Sequence, residues 1–291
     1  MKLIEKYKNK IQIVIGLMGP KGSGKDTLAD YSIEKLGGTG KIVTANFLKK
    51  MCATVFQLTP DWFNENKDKE FPKPILFTNP LVKKVLLEMR SAVSEKVISL
   101  KEFNPYRIGI QNYSGRFFKT PRQMLQYIGT DLTHSICRPF HCIVSYDLYK
   151  DKPGIWFITD TRFKFEIDYA LKTFKFFYPI RIINRNEVTN GNEEHISESE
   201  WKEILPFASI DNSSTLGKFV ENSIKVFNKI KKDVEEKLSV MSENELETLF
   251  NSNTVFNNVS NQSKYDPSVV RAGRFGFRPA SEANEHIVRD L

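Results

Sequence analysis

At 291 residues the chain is long enough for one large domain or two small ones, and 40% hydrophobic with 12% aromatic residues is enough to build a core. A formal charge of +8 and a pI near 9.2 call for an anionic partner (nucleic acid, a membrane surface or small phosphates) or else reflect a lysine-rich surface. Three cysteines, Cys52, Cys137 and Cys142, form no CxxC pair, which argues against a disulfide framework and fits a reduced, cytoplasmic protein.

The first apolar run, "IQIVIGLM" at residues 11–18, is too short for a membrane span, and no small-residue cleavage site follows it. A soluble, intracellular protein without a signal peptide is expected. The same run is β-branched and ends in glycine, as a strand buried on both faces of a parallel sheet does. "KDTLADYSIEKLG" then places Leu28, Tyr31 and Leu36 at helical spacing and stops at Gly37 and Gly38. "KIVTA" reads as a short strand and "NFLKKMCATVFQL" as a helix. Residues 60–118 are rich in Pro, Asn, Lys and aromatics, with one clear helix in "NPLVKKVLLEMRSAVSEKV"; they read as an insertion over the sheet.

"TPRQMLQYIGTDLTHSI" is helical, with Pro121 suited to the first helical position. "GIWFITDTR" is a buried strand with a polar cluster at its carboxyl end, "KFEIDYALKTF" a crossover helix, "PIRIINR" a strand and "FASIDN" a short one. "TLGKFVENSIKVFNKIKKDVEEKL" is an amphipathic closing helix. Alternation of strand and helix predicts an α/β layer fold with a mainly parallel sheet over residues 1–238. The Asn- and Ser-rich stretch 239–291 reads as a tail, partly disordered or wrapped on the body.

"GPKGSGKDT", residues 19–27, fits the phosphate-loop pattern G-x-x-x-x-G-K-[ST] except that Asp26 stands at the last position. Glycines in such a loop let backbone N–H groups turn toward phosphate oxygens, and the following helix offers its positive end. Lys25 would bridge the outer phosphates, Lys21 would add charge, and Asp26 with Thr27 would supply oxygens for Mg²⁺.

Several segments together resemble the bacteriophage deoxynucleoside monophosphate kinases: "GPKGSGKDTLADY", "TPRQMLQYIGTD", "FITDTRFKFEID", "HISE" and "IDNSSTLGKF", in the family's order over residues 11–238. In that family Lys-Asp-Thr is the usual end of the loop. The resemblance implies a three-layer P-loop kinase fold with a helical insertion as substrate-binding and lid region. It implies ATP and Mg²⁺ held by Gly19, Lys21, Gly22, Ser23, Gly24, Lys25, Asp26 and Thr27, with Arg185 on the ATP side. Lys49 would meet the monophosphate and Arg122 would clamp the acceptor or transferred phosphate. Gln126, Gly129, Thr130 and Asp131 would shape the nucleotide pocket, and Asp160 and Arg162 would face the loop. Glu166, His195 and Glu198 are supporting positions. "PFHCIV" departs from an aromatic pair of the family and leaves Phe140 as an aromatic wall, with base preference open. A two-fold homodimer is a further expectation of the resemblance.

The implied reaction moves the γ-phosphoryl group of ATP to a deoxynucleoside 5′-monophosphate by positioning and charge neutralisation, with no strong general base. The insertion and "NRNEVTNGNEEH" are the candidate moving parts. No stable nucleic-acid or membrane partner is then needed to explain the basic charge. Phosphomevalonate and dephospho-coenzyme A kinases are alternatives within small-molecule kinases; "QYIGTD" favours the deoxynucleotide. A nucleic-acid-dependent ATPase would need acidic residues where "WFITDTR" puts Thr and Arg after the Asp. Zinc at His134, Cys137, His141 and Cys142 is disfavoured by their spacing.

Overall fold

The computed structural model describes residues 2–7, 9–20, 22–93, 112–183 and 200–256. The chain runs through α1 (Lys2–Tyr7), β1 (Gln12–Met18), α2 (Lys25–Lys35) and β2 (Gly40–Ile42), then α3 (Ala45–Phe56), α4 (Pro60–Glu65), β3 (Ile75–Phe77), α5 (Asn79–Ala92) and β4 (Arg116–Phe118). Next come α6 (Pro121–Gln126), a wide π-helical stretch Tyr127–Leu132, α7 (Thr133–Ile136) and α8 (Phe140–Asp147). The remainder is β5 (Gly154–Ile158), α9 (Lys164–Thr173), β6 (Phe176–Ile183), a 3₁₀ turn Glu200–Glu203, β7 (Ala208–Asp211), α10 (Leu216–Ser239) and α11 (Glu243–Phe256). The described residues form two compact units, one from Met1–Thr44 and Ser145–Val259, the other centred on Ala45–Val144.

The first unit holds a five-stranded, wholly parallel sheet in the order β2-β5-β1-β6-β7. β1 lies at its centre because it is apolar on both faces; Val14 and Leu17 are fully buried. From β1 the chain first builds one side of the sheet, with β2 and then β5, and afterwards the other, with β6 and β7. The carboxyl end of β1 therefore sits at the switch point where open α/β sheets bind ligands. Helix α10 buries Phe219, Ile230, Val234 and Leu238 at helical spacing in the core against β1 and β6 residues. Its Glu235 carboxylate receives the N–H groups of Leu3 and Ile4 and so fixes α1.

Pro179 lies inside β6, although the sequence places the strand's start there. Its carbonyl faces the β7 side and accepts from Phe207 N, while the β6–β7 ladder begins only at Ile180. The missing N–H falls where no ladder bond is needed. Residues 243–256, read from sequence as the start of a tail, form α11, with Leu246 and Phe250 buried in the same core.

The second unit is helical around a small antiparallel pair, β3 with β4. Phe56, Phe77, Phe118 and Tyr127 pack ring against ring, with successive centroids 5.6 to 6.2 Å apart. Two of its helices open on Thr-Pro: Thr59 accepts from Trp62 N and Thr120 from Gln123 N. In α6 the Gln123 side chain returns the favour by accepting from Lys119 N, so the start of this helix is fixed at both ends of the turn. Residues 60–118 thus hold α4 and the β3–β4 pair besides the one helix legible in the sequence, which ends at Ala92.

Candidate active site

Strand β1 delivers the chain to the glycine loop at Met18, and α2 takes it up at Lys25. Gly19, Gly22 and Gly24 have φ of 147, 79 and 98°, a region closed to most side chains. A Cβ on Gly19 would lie 2.7 Å from the Ile182 carbonyl oxygen, and one on Gly24 2.7 Å from Asn212 Nδ2. The loop is thus pressed against β6 and the segment after β7. Asn212 Nδ2 donates to Ser23 O at 2.8 Å and pins it there. Lys25 folds back, its ammonium donating to the carbonyls of Gly19 and Pro20, both at 2.7 Å. A glycine cradle, the N-terminus of an 11-residue helix and an ammonium fit a polyphosphate.

Asp26 and Thr27 are exposed on the first turn of α2. Lys41, on β2, approaches Asp26 Oδ1 at 3.7 Å and Asp30 Oδ1 at 2.8 Å. A carboxylate beside a hydroxyl is a hard-oxygen set that suits Mg²⁺.

The strand register fixes what else stands on this edge. Gly16 pairs with Ile158, so Asp160, two residues on, leaves β5 level with the end of β1. Met18 itself pairs with Arg181 of β6. Thr44 donates its hydroxyl to Asp160 Oδ2 at 2.6 Å. Arg181 Nη2 donates to the carbonyls of Lys202 and Ile204, at 2.9 and 2.6 Å, and so serves the 3₁₀ turn. Glu166 is buried and accepts the N–H groups of Arg162 and Phe163 on one oxygen, at 2.6 and 3.0 Å. It shapes the backbone that carries Arg162. Burial pushes its pKa up to about 8, against those two donors, which favour the ionised form.

In the second unit Lys49 of α3 donates to Asn64 Oδ1 at 2.7 Å. Arg122 is gripped by Asp68 through Nε and through Nη2, the latter at 3.2 Å. Gln126 and Thr130 are half-buried and Asp131 is exposed, while Gly129 is buried, where a Cβ would meet Leu48 Cδ2 at 2.4 Å. Thr133 Oγ1 donates to Gly129 O at 2.6 Å, so the Nε2 of His141, 3.0 Å from that hydroxyl and 3.2 Å from the same carbonyl, carries the ring's proton. Burial, with His134 beside it, holds the His141 pKa down to about 3. Phe140 is fully buried, edge-on to Phe47 at 5.5 Å, and is a core residue first.

The chain is 26% identical over 175 residues to the "Deoxynucleoside-5'-monophosphate kinase" of Escherichia phage T5, covering 53% of this chain and 69% of that protein. It is also 26% identical over 228 residues to a protein of Acanthamoeba polyphaga mimivirus named "Putative deoxynucleotide monophosphate kinase", covering 73% of this chain and 94% of the relative. The chain is homologous to these viral proteins. No family model matches it.

The structure gathers Gly19, Gly22, Ser23, Gly24, Lys25, Asp26, Thr27, Asp160 and Arg162 in the first unit, and holds Lys49, Arg122, Gln126, Gly129, Thr130, Asp131 and Phe140 in the second. Lys21, Arg185, His195 and Glu198 lie outside the described residues. Sequence reading passed over Thr44, Lys41, Asp68 and Asn212. Asn212 stands within the quoted "IDNSS", and Thr44 could have been found by counting two residues past the strand before it. No spacing in the sequence links Asp68 to Arg122.

Proposed function

We propose that this chain transfers the γ-phosphoryl group of ATP to a deoxynucleoside 5′-monophosphate in the presence of Mg²⁺, giving ADP and a deoxynucleoside diphosphate. The observation that carries the reading is the glycine loop at the switch point of a parallel sheet, with Asp160 level with it on the neighbouring strand. The names of the two homologues supply the acceptor class.

An oxygen of the acceptor phosphate bonds to the γ-phosphorus as the bond to the bridging oxygen of ADP breaks. The acceptor is already ionised at neutral pH, so no proton need be removed from it. The residues hold two polyanions together and offset their charge. The loop amides and Lys25, once its ammonium leaves the carbonyls of Gly19 and Pro20, take the donor phosphates. Asp26 and Thr27 would hold Mg²⁺, which would supply further neutralisation of charge on the phosphates. Lys49 and Arg122 take the acceptor phosphate, Arg122 exchanging its Asp68 carboxylate for a phosphate of similar fork geometry. Gln126, Thr130 and Asp131 receive the nucleoside. The diphosphate product feeds deoxynucleoside triphosphate synthesis for viral DNA replication, in the host cytoplasm.

ADP formation with Mg²⁺ against a panel of deoxy- and ribonucleoside monophosphates, with Lys25→Ala alongside, tests this. Turnover on at least one deoxynucleotide, reduced at least 100-fold in the variant (roughly the scale of losing one transition-state charge partner), is expected. Silence with every nucleotide, from folded protein that binds ATP, would sink it.

A further inference from the structure

Strand β2 pairs with β5 in parallel, Ile42 opposite Ile158, so Thr44 and Asp160 leave the sheet at the same height. Both stand on the edge that carries the glycine loop. Thr44 is 6% exposed, and a hydroxyl buried at a strand end is costly without a partner, where a valine of the same shape would not be. Its partner is Asp160, whose Oδ2 receives the hydroxyl proton at 2.6 Å. The carboxylate stands past the end of its strand, and this bond favours one orientation of it.

We propose that Thr44 is the positioning residue of the site, fixing the direction in which Asp160 meets the phosphoryl group being transferred. The inference rests on the kinase reading above and adds to it a residue that makes no contact with substrate. Misplacing a reacting or charge-bearing group by about 1 Å can cost on the order of 100-fold in rate. Loss of the Thr44 hydroxyl should therefore act on turnover and leave substrate affinity nearly untouched.

The test uses the full chain with the nucleotide that the wild type phosphorylates best, in Thr44→Val, Thr44→Ser, Asp160→Asn and the Thr44→Val/Asp160→Asn double variant. Thr44→Val should lower kcat about 10- to 100-fold, with KM for ATP and for the nucleotide changed less than about threefold. Thr44→Ser, which keeps the donor, should return kcat to within about threefold of wild type. In the Asp160→Asn background Thr44→Val should add less than about twofold, because both changes break one arrangement. Full kcat in Thr44→Val, a Thr44→Ser as impaired as the valine variant, or additive losses in the double variant would each overturn the inference. Where Thr44→Val does not fold, Thr44→Ala against Thr44→Ser carries the same comparison. A wild type silent on every nucleotide would end the kinase reading and this inference together; an active wild type with an unimpaired valine variant ends the inference alone.

Discussion

In the first turn of α9 the buried Glu166 carboxyl accepts two backbone N–H groups, and burial raises its pKa from 4.5 to about 8. Between those two values the folded chain holds a proton that the unfolded chain has released, so stability falls as pH rises through that window. Glu166→Gln keeps an oxygen for the two donors and removes the titration. Its melting temperature should vary less between pH 5 and pH 8 than that of the wild type, the gap in its favour growing toward pH 8. Glu166→Ala, which strands two donors, should cost about 2 kcal/mol near pH 5, and its deficit should narrow toward pH 8 as the wild type loses stability. A Gln variant with the wild-type slope would assign the pH dependence elsewhere. The residue was legible as a motif position in "TDTRFKFEID", but its task was not. Only the structure shows that its oxygen serves the backbone of Arg162 and Phe163.

Elements differ in how far they could be read, and the differences have physical causes. β1 was clear because burial on both faces writes an unbroken apolar run. β6 was read too short because Pro179 looks like a terminus, and nothing local says that its N–H-free side precedes the ladder to β7. The β3–β4 pair has three residues in each strand, too few for an alternation to register. α11 was hidden by its Asn and Ser content, although Leu246, Leu249 and Phe250 keep a three-and-four spacing. Phe250 stacks on Tyr7 at 4.5 Å and closes the core beside α1. Phe250→Ala should therefore destabilise by about 3 kcal/mol, lowering the melting temperature by about 10 °C. An unchanged melting temperature would show that α11 does not belong to the folded core.

At the scale of the whole molecule, the residues assigned to the donor phosphates lie in one compact unit and those assigned to the acceptor in the other. Among the described residues no helix is long and apolar enough to cross a membrane, and no group of three His, Cys, Asp or Glu is placed to hold a metal ion. In the proposed reaction the excess of positive charge would be met by two small anionic substrates in each turnover. A kinase and a nucleotide-stimulated ATPase consume ATP alike, and only the fate of the phosphoryl group separates them. The decisive measurement is the transfer of label from [γ-³²P]ATP with Mg²⁺ and each deoxynucleoside monophosphate, products resolved by chromatography. Label in a deoxynucleoside diphosphate, dependent on Lys25 and Asp160, is the expected result. Label released only as inorganic phosphate, at a rate indifferent to the monophosphate, would contradict the assignment.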